Sequence, residues 1–365
     1  MHASILLLPG DGIGPEVVAA ARVVLDAVAT RYHHEFILSE ALIGGVALRA
    51  GLDALPAATL ETAQRADAVL LGAVGDPAFD RDPPSRRPEA GLLAIRSGLK
   101  LFANLRPAAV WPGLESAGPL KPEILAGTDM LVVRELTGGL YYGEPRGTAA
   151  DGSSAHNTMR YSRYEIERIA RVAFDAARGR KKRVTSVDKA NVLDVSRLWR
   201  KVVEDVARDY PDITLEHQLV DSCAMKIALA PSTFDVILTE NMFGDILSDE
   251  AGAIVGSLGL LPSASLGDGP GLFEPVHGSA PDIAGRDIAN PIGAILSAAM
   301  LLRHALKLEE EAAAVEGAVG AVLAKGIRTR DLASGGAEHS CSAVAEEIAN
   351  SIVRRDTNQE RRTTA

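Results

Sequence analysis

The chain has 365 residues, 47% of them apolar and 24% charged, which excludes an intrinsically disordered polypeptide and is long enough for two domains of ~100–200 residues. A formal charge of −10 excludes a broad phosphate-binding surface for nucleic acid, and two cysteines exclude a disulfide framework and suit a reducing cytoplasm. With only 4% aromatics, the core must be built from Ala, Val, Leu and Ile.

Ser4–Leu8 reads as a buried strand, with no basic leader before it and too short an apolar run for a signal peptide. It leads through Gly10-Asp11-Gly12-Ile13-Gly14-Pro15-Glu16 into a helix over Pro15–Ala29, with proline in the first turn. The glycine spacing is G-x-G-x-G, which fails the test for a Rossmann dinucleotide fingerprint, so a plain strand-to-helix turn is favoured. Ala68–Leu71 reads as a second strand. Gly75–Pro88, with four prolines and no periodicity, reads as a loop. Further strands are expected at Met130–Val133, Val184–Val187 and Phe234–Leu238, and helices at Tyr164–Arg178, Val195–Asp209 and Ile292–Leu306. Gly138–Gly152, glycine-rich around Tyr141 and Tyr142, suggests a β-arm. The apolar run Ile292–Leu302 is too short to span a membrane, and the polar tail after Val353 is expected to fray. Alternating strands and helices of this kind imply an α/β protein with a largely parallel sheet.

Four stretches can carry chemistry. In Asn241-Met-Phe-Gly-Asp245-Ile-Leu-Ser-Asp249-Glu250, Asp245 and Asp249 are four apart and share one helical face. Two readings stay open there: a solvated acidic face, or hard oxygen ligands for Mg²⁺ or Mn²⁺. Arg96, Arg106 and Arg134 each sit beside apolar sequence. A surface ion pair accounts for any one of them, but Arg134 follows a strand, at the end of an α/β sheet where ligands bind, and guanidinium forks grip carboxylates. Lys189 also stands just beyond a strand, where desolvation can neutralise a lysine. The long, polar, non-periodic loop His277–Pro291 precedes an apolar helix, and its length favours a binding role over a plain connection.

Taken together, Gly10–Glu16, Leu101–Pro107, Val133–Gly147, Ser186–Leu193, Asn241–Glu250 and Phe273–Pro291 closely resemble the isocitrate/isopropylmalate dehydrogenase family of NAD-dependent β-decarboxylating dehydrogenases. The resemblance runs from Ile5 to Ile352 and is nearest to the isopropylmalate-oxidising branch. It implies a two-domain α/β fold that is not of the Rossmann type, with a mixed, largely parallel central sheet and helices on both faces. One domain would comprise residues 1–101 and 256–365. The other, 102–255, would hold the arm, the metal and catalytic residues and the contacts of a homodimer whose active sites are shared between subunits.

Residue by residue, the resemblance implies that Arg96, Arg106 and Arg134 hold the substrate carboxylates and that Asp221, Asp245 and Asp249 hold Mg²⁺ or Mn²⁺, with Asp221 also at the substrate. Tyr141 and Lys189 would be the acid and base, and Lys189 and Asp221 would come from the partner subunit. Glu89, Leu92, Leu93 and Val192 would line the pocket for the isopropyl group. Asp76, Glu89, Glu274, His277, Gly278, Ser279, Ala280, Asp282, Ile283 and Asn290 would border NAD, with Asp282 favouring NAD over NADP by repelling a ribose phosphate. Three arginines, three aspartates, a divalent cation and a dianionic substrate balance if Lys189 is neutral. The implied reaction is oxidation and decarboxylation of 3-isopropylmalate to 4-methyl-2-oxopentanoate and CO₂ in leucine biosynthesis. The alternatives are a sister enzyme acting on D-malate, tartrate, homoisocitrate or isocitrate, and a non-catalytic regulatory paralogue. Neither nucleic acid nor membrane is expected as a partner. Glu240 stands where many relatives carry a small or neutral residue, adding negative charge near the metal site.

Overall fold

The computed structural model describes the backbone of residues 1–333 and 336–363 and the side chains through Arg354. In chain order the first elements are β1 (His2–Gly10), α1 (Gly14–Tyr32), β2 (Glu35–Glu40), α2 (Gly45–Arg49), α3 (Ala57–Arg65), β3 (Ala68–Ala73), α4 (Pro88–Gly98) and β4 (Leu101–Ala109). There follow α5 (Pro122–Leu125), β5 (Asp129–Glu135), β6 (Gly147–Thr148), β7 (Ala155–His156), α6 (Arg163–Arg178), β8 (Arg183–Asp188), α7 (Asp194–Ala207), β9 (Thr214–Leu219) and α8 (Val220–Leu229). The last are β10 (Val236–Thr239), α9 (Asn241–Ile254), β11 (Pro262–Gly267), β12 (Gly271–Pro275), α10 (Ile292–His304), α11 (Glu309–Ala324) and α12 (Cys341–Thr363).

The chain divides into two compact units, one of residues 1–101, 111–117 and 256–365, the other of 102–110 and 118–255. In the first unit the strands run β2-β1-β3-β12-β11, parallel except for the antiparallel pair β11–β12. Ile5–Leu8 of β1 are buried, since both faces of a parallel strand are covered. Helix α1 packs on α10 and α12. Every residue of α10 from Ile292 to Leu302 is buried, as its largely apolar sequence requires, and its one hydroxyl, that of Ser297, donates to Gly293 O.

In the second unit the order is β4-β5-β10-β8-β9, with β4 antiparallel to β5 and the rest parallel. Helix α6 opens on a capping box in which Ser162 and Glu165 satisfy each other's backbone amides, and it packs on α7. The fold is thus α/β with a mixed, mostly parallel sheet.

The expected strands and helices are present, with boundary shifts that have local causes. The strand expected to begin at Phe234 begins at Val236, because Pro231–Thr233 forms a 3₁₀ turn that Phe234 closes. The glycine-rich arm carries its two short strands at 147–148 and 155–156, so it reaches beyond Gly152. The Gly75–Pro88 loop contains two single 3₁₀ turns, each led by proline. The tail expected to fray after Val353 is helical as far as Thr363, and its last two residues lie outside the described ones.

Candidate active site

The second unit gathers its charged residues by register. Arg134, near the end of β5, lies opposite Asn104 of β4, and Arg106 follows two positions on, so Asn104 and Arg106 point to the same face. Strand β10 pairs Thr239 with Arg134, and α9 starts two residues later. Its N-cap is Glu240, whose carboxylate accepts the amides of Met242 (3.0 Å) and Phe243 (2.8 Å). Successive turns of α9 then bring Asp245, Ser248 and Asp249 to one face. Gly244, just before them, leaves room for Arg134, because a β-carbon there would lie 2.7 Å from its Cγ.

On this face the guanidinium of Arg134 pairs with Asp245, and Arg106 donates to Ser248 Oγ (2.9 Å) and Asp249 Oδ1 (3.1 Å). Arg106 also lies 3.8 Å from Asp245 Oδ1 and donates through Nε to Asn104 (2.8 Å). Tyr141, held by the turn Gly139–Tyr141, donates its phenol proton to Asp245 Oδ2 at 2.9 Å, and Arg134 lies over its ring. Burial, the hydrogen bond to Asp245 and the charge of that carboxylate all raise the phenol's pKa, so it is held as a proton donor. Arg106, Arg134, Tyr141, Asp245 and Asp249 therefore form one constellation.

Lys189 and Asp221 form another. Lys189 follows β8, Asp221 opens α8, and Nζ lies 2.8 Å from Asp221 Oδ1. The lysine holds the Asp221 carboxyl below its usual range. Within one chain, therefore, Lys189 lies against the carboxylate of Asp221. Among the described residues, Asp221, Asp245 and Asp249 do not converge to metal-binding distance within one chain. Val192, on the segment after Lys189, is 62% exposed.

In the first unit, Arg96 of α4 donates to Glu274 of β12 at 2.8 Å, and both are largely buried. On the same helix Leu92 packs against the core while Leu93 is exposed. The Gly10–Gly14 turn is a bed for the 277–290 loop: Ile13 N donates to Ser279 O (2.8 Å), and a β-carbon on Gly12 (φ +58°) would fall 1.9 Å from that oxygen. Protein backbone thus lies directly against this turn. Gly75, Ser279 and Glu89 meet beside it, since a β-carbon on Gly75 would lie 3.1 Å from Ser279 Oγ and 3.7 Å from Glu89 Oε1.

His277 donates from Nδ1 to Gly278 O (2.9 Å), while its Nε2 is buried with no hydrogen-bond partner, and burial lowers the ring's pKa. Asp282 is exposed, Ile283 N closes a turn onto Ala280 O, and Ala280 takes φ +36°. Asp76 is bound by Arg49 through two bonds (2.6 and 2.9 Å), which hold its carboxyl low. Asn290 is held by protein at both ends: Oδ1 accepts Ile292 N at the start of α10 and Nδ2 donates to Asp331.

Three residues that sequence reasoning passed over are central. Asn241 joins Arg134 to the Tyr141 turn, Asn104 orients Arg106, and Asp11 accepts three backbone amides. Only the first carried a signal, as the residue opening the acidic motif. Glu240, noted only as an added charge, caps α9; burial raises its pKa.

Comparison with known proteins places this geometry in context. The family model for isocitrate/isopropylmalate dehydrogenases matches residues 4–348. The 3-isopropylmalate dehydrogenase of Priestia megaterium (strain DSM 319 / IMG 1521) is 57% identical over 96% of this chain and 97% of that enzyme. That of Bacillus subtilis (strain 168) is 56% identical over 98% and 99%, respectively. Among solved structures, isocitrate dehydrogenase from Methylococcus capsulatus superposes with a TM-score of 0.85 at 36% identity, covering 97% of this chain and all of that one. A β-decarboxylating dehydrogenase from Thermococcus kodakarensis gives 0.80 at 37% identity, over 96% of each chain.

Proposed function

The chain belongs to the isocitrate/isopropylmalate dehydrogenase family and is an oxidoreductase, and from that membership we propose that it oxidises and decarboxylates 3-isopropylmalate to 4-methyl-2-oxopentanoate and CO₂, a step of leucine biosynthesis, with NAD as hydride acceptor and one Mg²⁺ or Mn²⁺ per site. The observation that carries the substrate is 54–59% identity to 3-isopropylmalate dehydrogenases over more than nine-tenths of the chain, against 36% to the isocitrate dehydrogenase.

The residues suit the absent groups. Arg106 and Arg134 already offset Asp245 and Asp249, so a dianionic substrate entering beside them needs two further positive charges, and hard carboxylate oxygens suit a divalent cation. Asp245 and Asp249 would hold that cation, with Asp221 supplied by a second copy of the chain. For NAD, the close approach of Gly75, Ser279 and Glu89 and the unpartnered Nε2 of His277 supply a cradle and a free polar atom. Asp282, exposed on the loop, would accept a ribose hydroxyl and repel a phosphate. When bound, the cation supplies Lewis-acid polarisation and NAD takes the hydride.

The chain's own groups do the rest. Arg96, Arg106 and Arg134 would grip the two carboxylates through guanidinium forks. Lys189 must leave Asp221 before its Nζ can take the substrate hydroxyl proton. Tyr141, held protonated, would return a proton to carbon after CO₂ departs. Leu92, Leu93 and Val192 would receive the isopropyl group, whose three carbons are worth roughly 2–3 kcal/mol, or ~30–150-fold over malate.

Met225 and Leu229 on α8 and Ile246 on α9 are 66%, 68% and 59% exposed, an apolar surface that supports a homodimer. A cytoplasmic location is proposed from the two cysteines, both unpaired and buried; among the described residues no helix is long and apolar enough to cross a membrane. The test is NADH absorbance on a panel of 2-hydroxy diacids with Mg²⁺, Mn²⁺ or EDTA. Isopropylmalate should exceed D-malate at least about tenfold in kcat/KM and EDTA should abolish turnover; equal rates for the two acids would defeat the assignment.

A further inference from the structure

Asn241 is buried, 1% exposed, at the first position of α9, yet it contributes nothing to capping that helix, since Glu240 does so. Its side chain is spent elsewhere. Oδ1 accepts both Nε (3.0 Å) and Nη2 (2.9 Å) of Arg134, which fixes one edge of that guanidinium. Nδ2 donates to the carbonyl of Gly138 (3.2 Å), the residue that leads into the turn presenting Tyr141. The remaining Nη1 of Arg134 reaches Asp245 Oδ1, and Asp245 Oδ2 accepts the Tyr141 phenol at 2.9 Å. The path Asn241–Arg134–Asp245–Tyr141 returns through the backbone to Gly138 and closes on Asn241.

A closed ring of hydrogen bonds behaves differently from a row of independent contacts. The guanidinium that would grip a carboxylate and the phenol that would deliver a proton are held at a set separation by one amide, with an acceptor at one end and a donor at the other. An apolar residue of the same size would remove the acceptor shared by Nε and Nη2 of Arg134, and a residue with only an acceptor would hold Arg134 but release the tyrosine turn. The backbone amide of Asn241 donates to Tyr161 Oη (3.0 Å), which anchors Asn241 independently of its side chain. Tyr161 also packs under the turn, since a β-carbon on Gly138 would lie 2.4 Å from its ring.

We propose that Asn241 is a positioning residue that couples the substrate-binding arginine to the acid tyrosine, so that carboxylate grip and proton delivery are set by one side chain. This rests on the reaction proposed above for its kinetic consequence, but the ring itself can be tested without turnover.

The experiment compares Asn241→Ala and Asn241→Asp in the full-length protein. Asn241→Ala removes both ends of the amide, so KM for isopropylmalate should rise and kcat should fall, each by about tenfold or more, with KM for NAD within about twofold of the parent. Asn241→Asp keeps an acceptor for Arg134 and loses the donor to Gly138. KM for isopropylmalate should therefore return to within about threefold of the parent while kcat stays low. Hydrogen exchange, followed by mass spectrometry, should speed up by about tenfold or more at the amides of residues 139–143 in both variants. Parental exchange at 139–143 in both overturns the ring. So does a loss in which both variants depress kcat and raise KM by the same factors, since that is what a merely structural asparagine would give. If the parent fails to oxidise isopropylmalate, the proposed reaction falls while the exchange measurement still decides the ring.

Discussion

Asp11 ties two separate segments of the first unit to one carboxylate through three amides. Oδ2 accepts the amides of Gly45 (2.8 Å) and Gly75 (2.9 Å), and Oδ1 accepts that of Val46 (2.7 Å). The residue is 7% exposed, and amide bonds to an ionised acceptor are stronger than neutral ones. Asn in its place keeps one acceptor and turns an NH₂ toward a backbone N–H, which leaves at least one buried donor unmet. Asp11→Asn should therefore destabilise the protein by about 2–4 kcal/mol, measured as a shift in the urea midpoint with unchanged m. A variant with the parental midpoint would show that these bonds are replaceable by water. Nothing in the sequence marks this role. Asp11 sits in a glycine-rich turn where aspartate is common, and its partners lie 34, 35 and 64 residues away. The arginines, Tyr141 and the acids were legible because their motifs are local. Glu274, as the partner of Arg96, was not, because it lies 178 residues away on β12. Cys223 is fully buried, and burial pushes its thiol up to about 12.

At the scale of elements, α9 shows how one helix is tuned for a site at some cost to itself. Glycine at position 244 weakens a helix interior by roughly 1 kcal/mol relative to alanine. It is tolerated because the stem of Arg134 occupies the space a β-carbon would take. Gly244→Ala regains that propensity but puts a β-carbon 2.7 and 2.8 Å from Cγ and Cβ of Arg134, so it should lower the melting temperature as it displaces Arg134. The expected outcome is a rise of about tenfold or more in KM for isopropylmalate, read by steady-state kinetics beside a thermal melt. Unchanged KM in a folded variant would mean that Arg134 moves without consequence. The helical face of Asp245 and Asp249 was readable from their spacing of four. Strand β4 was not read as a strand, because Asn104, Arg106 and Pro107 interrupt its apolar pattern; its antiparallel pairing with β5 brings Arg106 and Arg134 together. The helical continuation of α12 to Thr363 was likewise hidden by a polar composition that reads as a tail.

For the whole molecule the decisive question is whether one chain suffices. Within a chain Lys189 is engaged by Asp221, while Tyr141 is engaged by Asp245. If each active site takes Tyr141, Asp245 and Asp249 from one chain and Lys189 and Asp221 from its partner, two inactive proteins can rescue each other. Lys189→Ala alone lacks the base at both sites, and Tyr141→Phe alone lacks the acid at both. When the two are unfolded together and refolded in equal amounts, half of the dimers combine one of each. Each mixed dimer then has one site with both groups intact and one with neither, so activity should return to about one quarter of the parent. If acid and base instead came from the same chain, every site would lack one of them and no rescue would occur. The apolar surface of Met225, Leu229 and Ile246 gives the control. Ile246→Asp places a charge on a face that a twofold interface would bury on both subunits, so it should yield monomers by sedimentation and abolish the rescue. Activity that survives in such a monomer would place the whole reaction within a single chain and remove the reason for the dimer.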